Sequence, residues 1–383
     1  MTIRKENKTW TVDISSGKRA LDGKRNRHKK FGFLTKKEAE QYETNYKITK
    51  LKQITHRDFL SVRMLYELTK EEDRQRGNRV ATIDTQESYY RQYISVFFEK
   101  ADMKIVDVEE ILSFRKWLRK KPSVKGGNLS EVTINRQMIF LGKMFECAIK
   151  AKFRLDNPCR SIRKLSQVKT EFEYYTPEMY KKFDSFFDEH EYNFQLYFRL
   201  LMYTGIRSGE ALGLTWRQVN FNDGYLDIRQ TAHYKKKTMS FGPVKTRESN
   251  RKVYIHKAFL EELRNWKSKQ IQMLGDFVNE ANDLQVLQAT PEYLTEPNIS
   301  NFRHGKLKQR LPADLPFIRN HDFRHSHAAY LISDGLRKGE GKDYLFFMLM
   351  KRLGHSSITT TINTYSHLFP SEQKEVANAF DNF

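Results

Sequence analysis

Residues 321–327 read HDFRHSH, three histidines, an aspartate and an arginine within seven positions. Two chemistries would want such a set. His321 and His325 stand four apart with an acidic neighbour, roughly as in a zinc-protease helix. His321 and Arg324 stand three apart and would also share a helical face, an arrangement suited to a phosphate. Three further clusters lie in the same part of the chain. In YTGIRSGEALGLTWRQV, Arg207 follows a glycine turn and opens an apolar helical run, with Glu210 three residues on. The free N–H groups of a helix start favour anions, and an arginine there strengthens such a site. In SFGPVKTRESNRKVYI, Lys245 follows a proline in what reads as a β-hairpin, with SNRKV as the return strand. KRLGHSSITTTINTYSHL supplies His355 and Tyr365. Singly, each cluster has a plain explanation, such as an Arg207–Glu210 ion pair or a core tyrosine near the C-terminus.

The elements that must carry these residues fall into three segments. Residues 1–50 hold 14 Lys and Arg against 6 Asp and Glu, a net of +8. KTWTVDIS alternates Trp10, Val12 and Ile14 with polar residues, which predicts a half-buried strand; RHKKFGF predicts another. TKKEAEQYETNYK opens with Thr35 and Glu38 at capping-box spacing and predicts a helix. From about 54 to 166 the period is helical. Tyr89, Tyr90, Tyr93, Ile94 and Phe97 form one apolar stripe; Ile134, Met138, Leu141, Phe145 and Ala148 form another. VEEILSFRKWLRKK ends in a basic cluster before the loop KPSVKGG. NPCRSIRKLSQVKTEFEYYT loses its period, which places an interdomain linker near 167–173. The remainder mixes helices with short strands, YLDIRQT and RKVYIH among them. No internal repeat or low-complexity tract is present.

At 383 residues the chain can hold two or three domains. Its net charge of +21 and pI near 9.7 call for a polyanion, either nucleic acid or an anionic membrane surface. The membrane reading is weak. No run approaches the roughly 20 apolar residues of a spanning helix, and YLFFMLM is far too short. MTIRKENKTW lacks an apolar signal region, so an intracellular protein is expected. Cys147 and Cys159 make neither a disulfide framework nor a zinc knuckle and are read as packing residues.

In chain order the motifs R-x-x-E, K-T, H-x-x-R, L-G-H and Y resemble the tyrosine recombinases, or phage integrases, over about 175–370. Residues 54–166 match that family's helical core-binding domain in general character, and the basic front resembles the arm-type DNA-binding domain of integrases from Gram-positive phages and conjugative transposons. The resemblance implies a multidomain fold. A small β-sheet-plus-helix domain over 1–53 is followed by an all-α core-binding (SAM-like) domain over 54–168. The catalytic domain over 169–383 is mixed α/β and mainly helical.

It also implies the chemistry. Cutting DNA without losing the energy of the phosphodiester needs a covalent enzyme–phosphate intermediate, and a tyrosine hydroxyl can form one. Tyr365 is then the nucleophile. Arg207 and Arg324 hold the non-bridging oxygens, since guanidinium forks match them bidentately. By resemblance His321 assists proton transfer, His355 donates a hydrogen bond to the scissile phosphate, Lys245 protonates the departing 5′-oxygen, and Glu210 orients Arg207. Residues 321–327 become a phosphate site, because zinc would lack a third ligand and would face the charge of Arg324. His325 and His327 are expected to pack the helix or lie near DNA without catalytic duty. The link between H-x-x-R and LGH, residues 333–352, is longer than is usual in the family.

The function implied is site-specific integration and excision of a mobile element through a 3′-phosphotyrosine. It needs neither metal nor nucleotide cofactor. The partners implied are double-stranded DNA at crossover and arm-type sites and three further copies of the chain, forming a homotetramer that works through a Holliday junction. An excisionase and a host DNA-bending protein are further partners, and the setting is the bacterial cytoplasm at the nucleoid. The tail SEQKEVANAFDNF reads as a short helix that docks on a neighbouring protomer. Rival readings are a chromosome-dimer resolvase, which usually lacks a basic front module, a relaxing topoisomerase, and a DNA-binding regulator derived from a recombinase. The regulator is disfavoured because all six catalytic positions are filled.

Overall fold

The structure is a computed structural model that describes residues 3–6, 9–18, 25–52, 59–124, 126–166, 172–244, 247–275 and 283–369. Lys245, most of the expected linker and the C-terminal tail therefore lie outside the described residues. The chain divides into two compact units, residues 1–169 and 170–383.

In the first unit, β1 (Ile3–Glu6), β2 (Thr9–Lys18) and β3 (Arg25–Phe33) form an antiparallel sheet in that order, followed by α1 (Lys36–Lys52). The alternation in β2 places Val12 and Ile14 in a small core with Ala39 of α1, against which Trp10, Phe33, Tyr42 and Tyr46 pack. The capping box forms as its spacing predicts: Glu38 N–H donates to Thr35 Oγ1 at 3.2 Å, and Glu38 Oε2 accepts from Thr35 N–H at 3.4 Å.

The helical part contains α2 (Val62–Gln75), α3 (Val80–Tyr89), a π turn over Tyr90–Ile94, α4 (Ser95–Phe97), α5 (Val108–Leu118) and α6 (Glu131–Lys150). Ile134, Leu141, Phe145 and Ala148 of the α6 stripe are buried, and they meet Leu65, Ile94, Phe98 and Phe114 in one core. The π turn widens the helix where Tyr90 stacks on Tyr66 at 3.9 Å between ring centroids.

The second unit begins with α7 (Pro177–Asp184), α8 (Tyr192–Thr204) and the short α9 (Ser208–Leu212). Strands β4 (Val219–Asn220) and β5 (Tyr225–Ile228) come next, then β6 (Gln230–Lys235), β7 (Thr238–Pro243) and β8 (Arg251–Tyr254). The strand pairing corrects one expectation. Residues 251–254 are not the return strand of the 238–243 segment. β7 pairs back with β6 as a separate hairpin, while β8 pairs with β5 in a sheet ordered β4-β5-β8. The choice follows burial: Val253 faces Leu226, both in the main core, whereas the β6–β7 hairpin has little apolar surface to offer a third strand.

Helices close the unit: α10 (Lys257–Leu274), α11 (Glu296–Phe302), a π turn Arg303–Leu307 into α12 (Lys308–Arg310), then α13 (Asn320–Arg337), α14 (Lys342–Leu353) and α15 (Ile358–Tyr365). The long link after H-x-x-R is thus the rest of α13, a tight turn and α14. Among the described residues, no helix is long and apolar enough to cross a membrane.

Candidate active site

Four segments bring together the sequence-predicted residues other than Lys245, which lies outside the described residues. Arg207 caps the start of α9, where Glu210 Oε2 accepts its N–H at 3.0 Å and Oε1 accepts its guanidinium at 2.8 Å. α8 ends at Gly205 in the left-handed region, φ +66°. A Cβ there would lie 2.5 Å from the His327 ring and 2.9 Å from Leu353, so only glycine lets the chain turn from α8 to Arg207. α13 carries His321 and Arg324. Asp322 serves its start, accepting from the Arg319 N–H at 2.7 Å and from the Arg319 guanidinium at 2.8 and 2.9 Å. The acidic neighbour in HDFRHSH is therefore a cap. Among the described residues, no three His, Cys, Asp or Glu side chains gather as a metal site.

The C-terminal end of α14 organises the cations. Its last carbonyls carry the negative end of the helix dipole. Arg251 Nε donates to Arg352 O at 2.7 Å, Arg324 Nη2 to Leu353 O at 2.6 Å, and Arg207 Nη2 to Gly354 O at 3.2 Å. Arg324 also donates to Gly205 O at 2.7 Å. Glu210 joins two of the three arginines, with Arg251 Nη2 at 2.9 Å from Oε2. Burial opposes the Glu210 charge, but Arg251 and then Arg207 hold its carboxyl below the usual range. One carboxylate among three guanidinium groups leaves an excess of positive charge. Arg324 registers it: burial first, then Arg207 and Arg251, push its pKa down to about 9. It remains charged at neutral pH, and an anion between these side chains would relieve the repulsion.

His355 follows Gly354, and its Nδ1 lies 2.9 Å from Thr361 Oγ1 of α15. Burial, then the three arginines, push its pKa down to about 3, so the ring is neutral. Packed surroundings and the Arg324 charge also lower His321, which keeps an exposed edge. Tyr365 ends α15 and is buried, packed with Ala328, Ile332, Leu349 and Leu353. Burial raises its hydroxyl to about 12 against the lowering pull of Arg324 and Arg207. Its ring lies parallel to that of His355, 6.5 Å between centroids.

Sequence reasoning missed several residues here. Tyr365 Oη is bonded to His325 Nδ1 at 3.0 Å, and Phe172 stacks on that imidazole at 4.0 Å. The i, i+4 spacing from His321 put His325 on the right face and was the signal available. Arg251 joined the cluster from β8 with no local signal at all. His327 is buried, its Nδ1 2.7 Å from Met202 O and its Nε2 accepting from Arg352 Nε at 2.8 Å, which fits the packing role expected of it.

The phage integrase family model matches residues 173–372, more than half of the chain. The chain belongs to the phage integrase family. The recombinase also matches an arm DNA-binding domain over 2–49 and a phage integrase SAM-like domain over 64–165. Along its whole length it is 29% identical to the ICEBs1 integrase of Bacillus subtilis (strain 168), covering all of both chains. The Tn1549 transposon integrase in complex with transposon right end DNA shares its fold. That match has a TM-score of 0.66 at 19% identity, over 82% of this chain and 98% of the other. So does a lambda integrase tetramer bound to a Holliday junction, with a TM-score of 0.53 at 15% identity over 94% and 96% of the two chains.

Proposed function

We propose that this integrase cuts and rejoins DNA through a 3′-phosphotyrosine on Tyr365, and so integrates and excises a mobile element. The observation that carries the reading is the convergence of Arg207 and Arg324 on adjacent carbonyls at 353 and 354, within electrostatic reach of the Tyr365 hydroxyl. Two backbone-fixed guanidinium groups with surplus charge suit the non-bridging oxygens of a phosphodiester, whose charge grows as the phosphorus becomes five-coordinate. His355 adds a neutral hydrogen-bond donor. Lys245 is the acid for the 5′-oxygen, and His321 stands at the exposed edge, where it assists proton transfer. The phosphotyrosine conserves the bond energy, so a second strand's 5′-hydroxyl can reverse the step without a nucleotide.

On this reading residues 1–53 bind arm-type sites, 54–168 clamp the crossover site and 169–383 perform the chemistry. The net charge of +21 serves the phosphate backbone. The full-length likeness to the ICEBs1 integrase supports an integrative element, and the fold shared with a lambda integrase tetramer supports four protomers acting together. The setting is the bacterial cytoplasm. The test is covalent trapping on a nicked duplex whose short 5′-fragment diffuses away. The wild-type chain should give an adduct that survives denaturant. Tyr365→Phe should bind the duplex equally well and give none. An adduct from the Phe variant would assign the nucleophile elsewhere.

A further inference from the structure

The hydroxyl of Tyr365 must lose a proton to attack phosphorus, and among the described residues the group bonded to it is His325. Nδ1 lies 3.0 Å from Oη, within hydrogen-bond distance. His321, one turn earlier on α13, stands edge-on to the His325 ring at 4.8 Å between centroids. The His325 imidazole is fixed on its other side. Phe172 stacks on it nearly parallel, at 16°, and packs edge-on against both Tyr365 and His367, 5.9 and 5.0 Å between centroids. The contact is thus enclosed by aromatic rings, and bulk water is held away from it.

We propose that His325 is the general base that takes the Tyr365 proton during strand cleavage and returns it during resealing. The proposal deepens the function given above, since it needs Tyr365 as the nucleophile. In cleavage the Oη–H bond breaks and its proton passes to Nδ1 as Oη bonds to phosphorus. The P–O5′ bond breaks, and the 5′-oxygen keeps the electron pair and is protonated by the general acid. In resealing the 5′-hydroxyl of the incoming strand returns its proton to that acid and attacks phosphorus. The Tyr365 phenolate leaves and recovers its proton from His325.

The surroundings suit this duty. Burial, with His321 as the next cause, pushes His325 down to about 4, so in the free protein the ring is neutral and can accept a proton. A phosphodiester seated among Arg324, Arg207 and Arg251 would cancel part of the positive field around the imidazolium. As Oη bonds to phosphorus its own proton becomes more acidic, so the proton and the new bond move together.

The experiment follows adduct formation in single turnover on the nicked duplex, using the full chain. His325→Asn keeps an acceptor near the Nδ1 position but cannot take the proton. It should slow the adduct by about 100-fold or more. His325→Gln, placing its acceptor differently, should be as slow. Gel-shift affinity and thermal melting report folding, and either variant that matches wild type in both serves the test. A fluorinated tyrosine at 365 has a more acidic phenol. It should restore at least tenfold of the lost rate in the His325 variant while changing the native enzyme little. A substrate with sulfur at the 5′-bridging position should restore nothing, because the leaving group is not the affected atom. A His325 variant within threefold of wild type would overturn the proposal. So would a slow variant that the fluorinated tyrosine cannot rescue, or rescue of His321→Asn in its place. A persisting adduct in Tyr365→Phe would instead sink the underlying function, and the two failures are distinct.

Discussion

Arg324 and Tyr365 are equally buried, at 1% exposure each, yet they are held in contrasting ways. Arg324 is bonded to two main-chain oxygens, Gly205 and Leu353, as Arg251 and Arg207 are to their neighbours at 352 and 354. Tyr365 Oη is held by a side chain, His325, whose ring is fixed in turn by Phe172. Main-chain anchors move only with the helices, so the charge that the proposed function gives to the phosphate is preorganised before DNA arrives. A side-chain anchor can let go at the cost of one hydrogen bond, about 1 kcal/mol net. On the proposed mechanism Tyr365 must change partners during the reaction, and it has the weaker tether.

The largest effect should come from breaking the arginine side without removing its charge. Arg324→Lys keeps a cation but cannot bridge two carbonyls and still present a fork to phosphate. Cleavage should fall by about 10²–10³-fold, the usual cost of one preorganised transition-state donor. Single-turnover trapping on the nicked duplex measures it. A loss under tenfold would mean that point charge, not geometry, is what the site uses.

Acid should separate the two sides further. Burial pushes His327 and His355 down to about 3 and His325 down to about 4. In the unfolded chain each takes its proton near pH 6.5. Between those values the unfolded state binds more protons than the folded one, so stability falls as the pH drops below about 6.5. The slope is about 1.4 kcal/mol per pH unit for each group. Arg324, pushed down only to about 9, keeps its proton in this window. Urea midpoints between pH 7.5 and 5.5 should therefore decline equally in the wild type and in Arg324→Lys, and less steeply in His327→Gln. A flat profile would show that these rings take up protons in the folded chain as readily as in the unfolded one.

What could be read from the sequence follows the range of the interactions. The Thr35–Glu38 box, the Ile134–Ala148 stripe and the Arg207–Glu210 pair are set within three or four residues on one helix or its cap, and they form as read. Strand partnership is not local. Whether Arg251 returns beside β7 or beside β5 depends on Leu226 needing cover from Val253, and nothing near residue 251 says so. The His325–Tyr365 bond spans 40 residues and depends on where α15 lands against α13. Phe172 was read only as part of a charged linker, because a single aromatic residue without a period carries no address.

The smallest expected effect is at Thr361, and it tests whether the comparison extends to His355. His355 is a neutral ring. To donate to a phosphate from Nε2, it must carry its proton there and keep Nδ1 as an acceptor. The Thr361 hydroxyl, fully buried and 2.9 Å from Nδ1, can donate to that acceptor and so favour the useful tautomer. Here again a side chain, not the main chain, sets the geometry. Thr361→Val removes the donor at almost constant volume, leaves Nδ1 unsatisfied and allows the opposite tautomer to compete. The cost should be about 1 kcal/mol, roughly five- to tenfold in the cleavage rate. Thr361→Ser should retain most of the rate, and nitrogen NMR of the His355 ring should show Nε2–H in the wild type and a mixture in the Val variant. Unchanged cleavage with a changed tautomer would mean that His355 meets DNA by packing and not by hydrogen bonding.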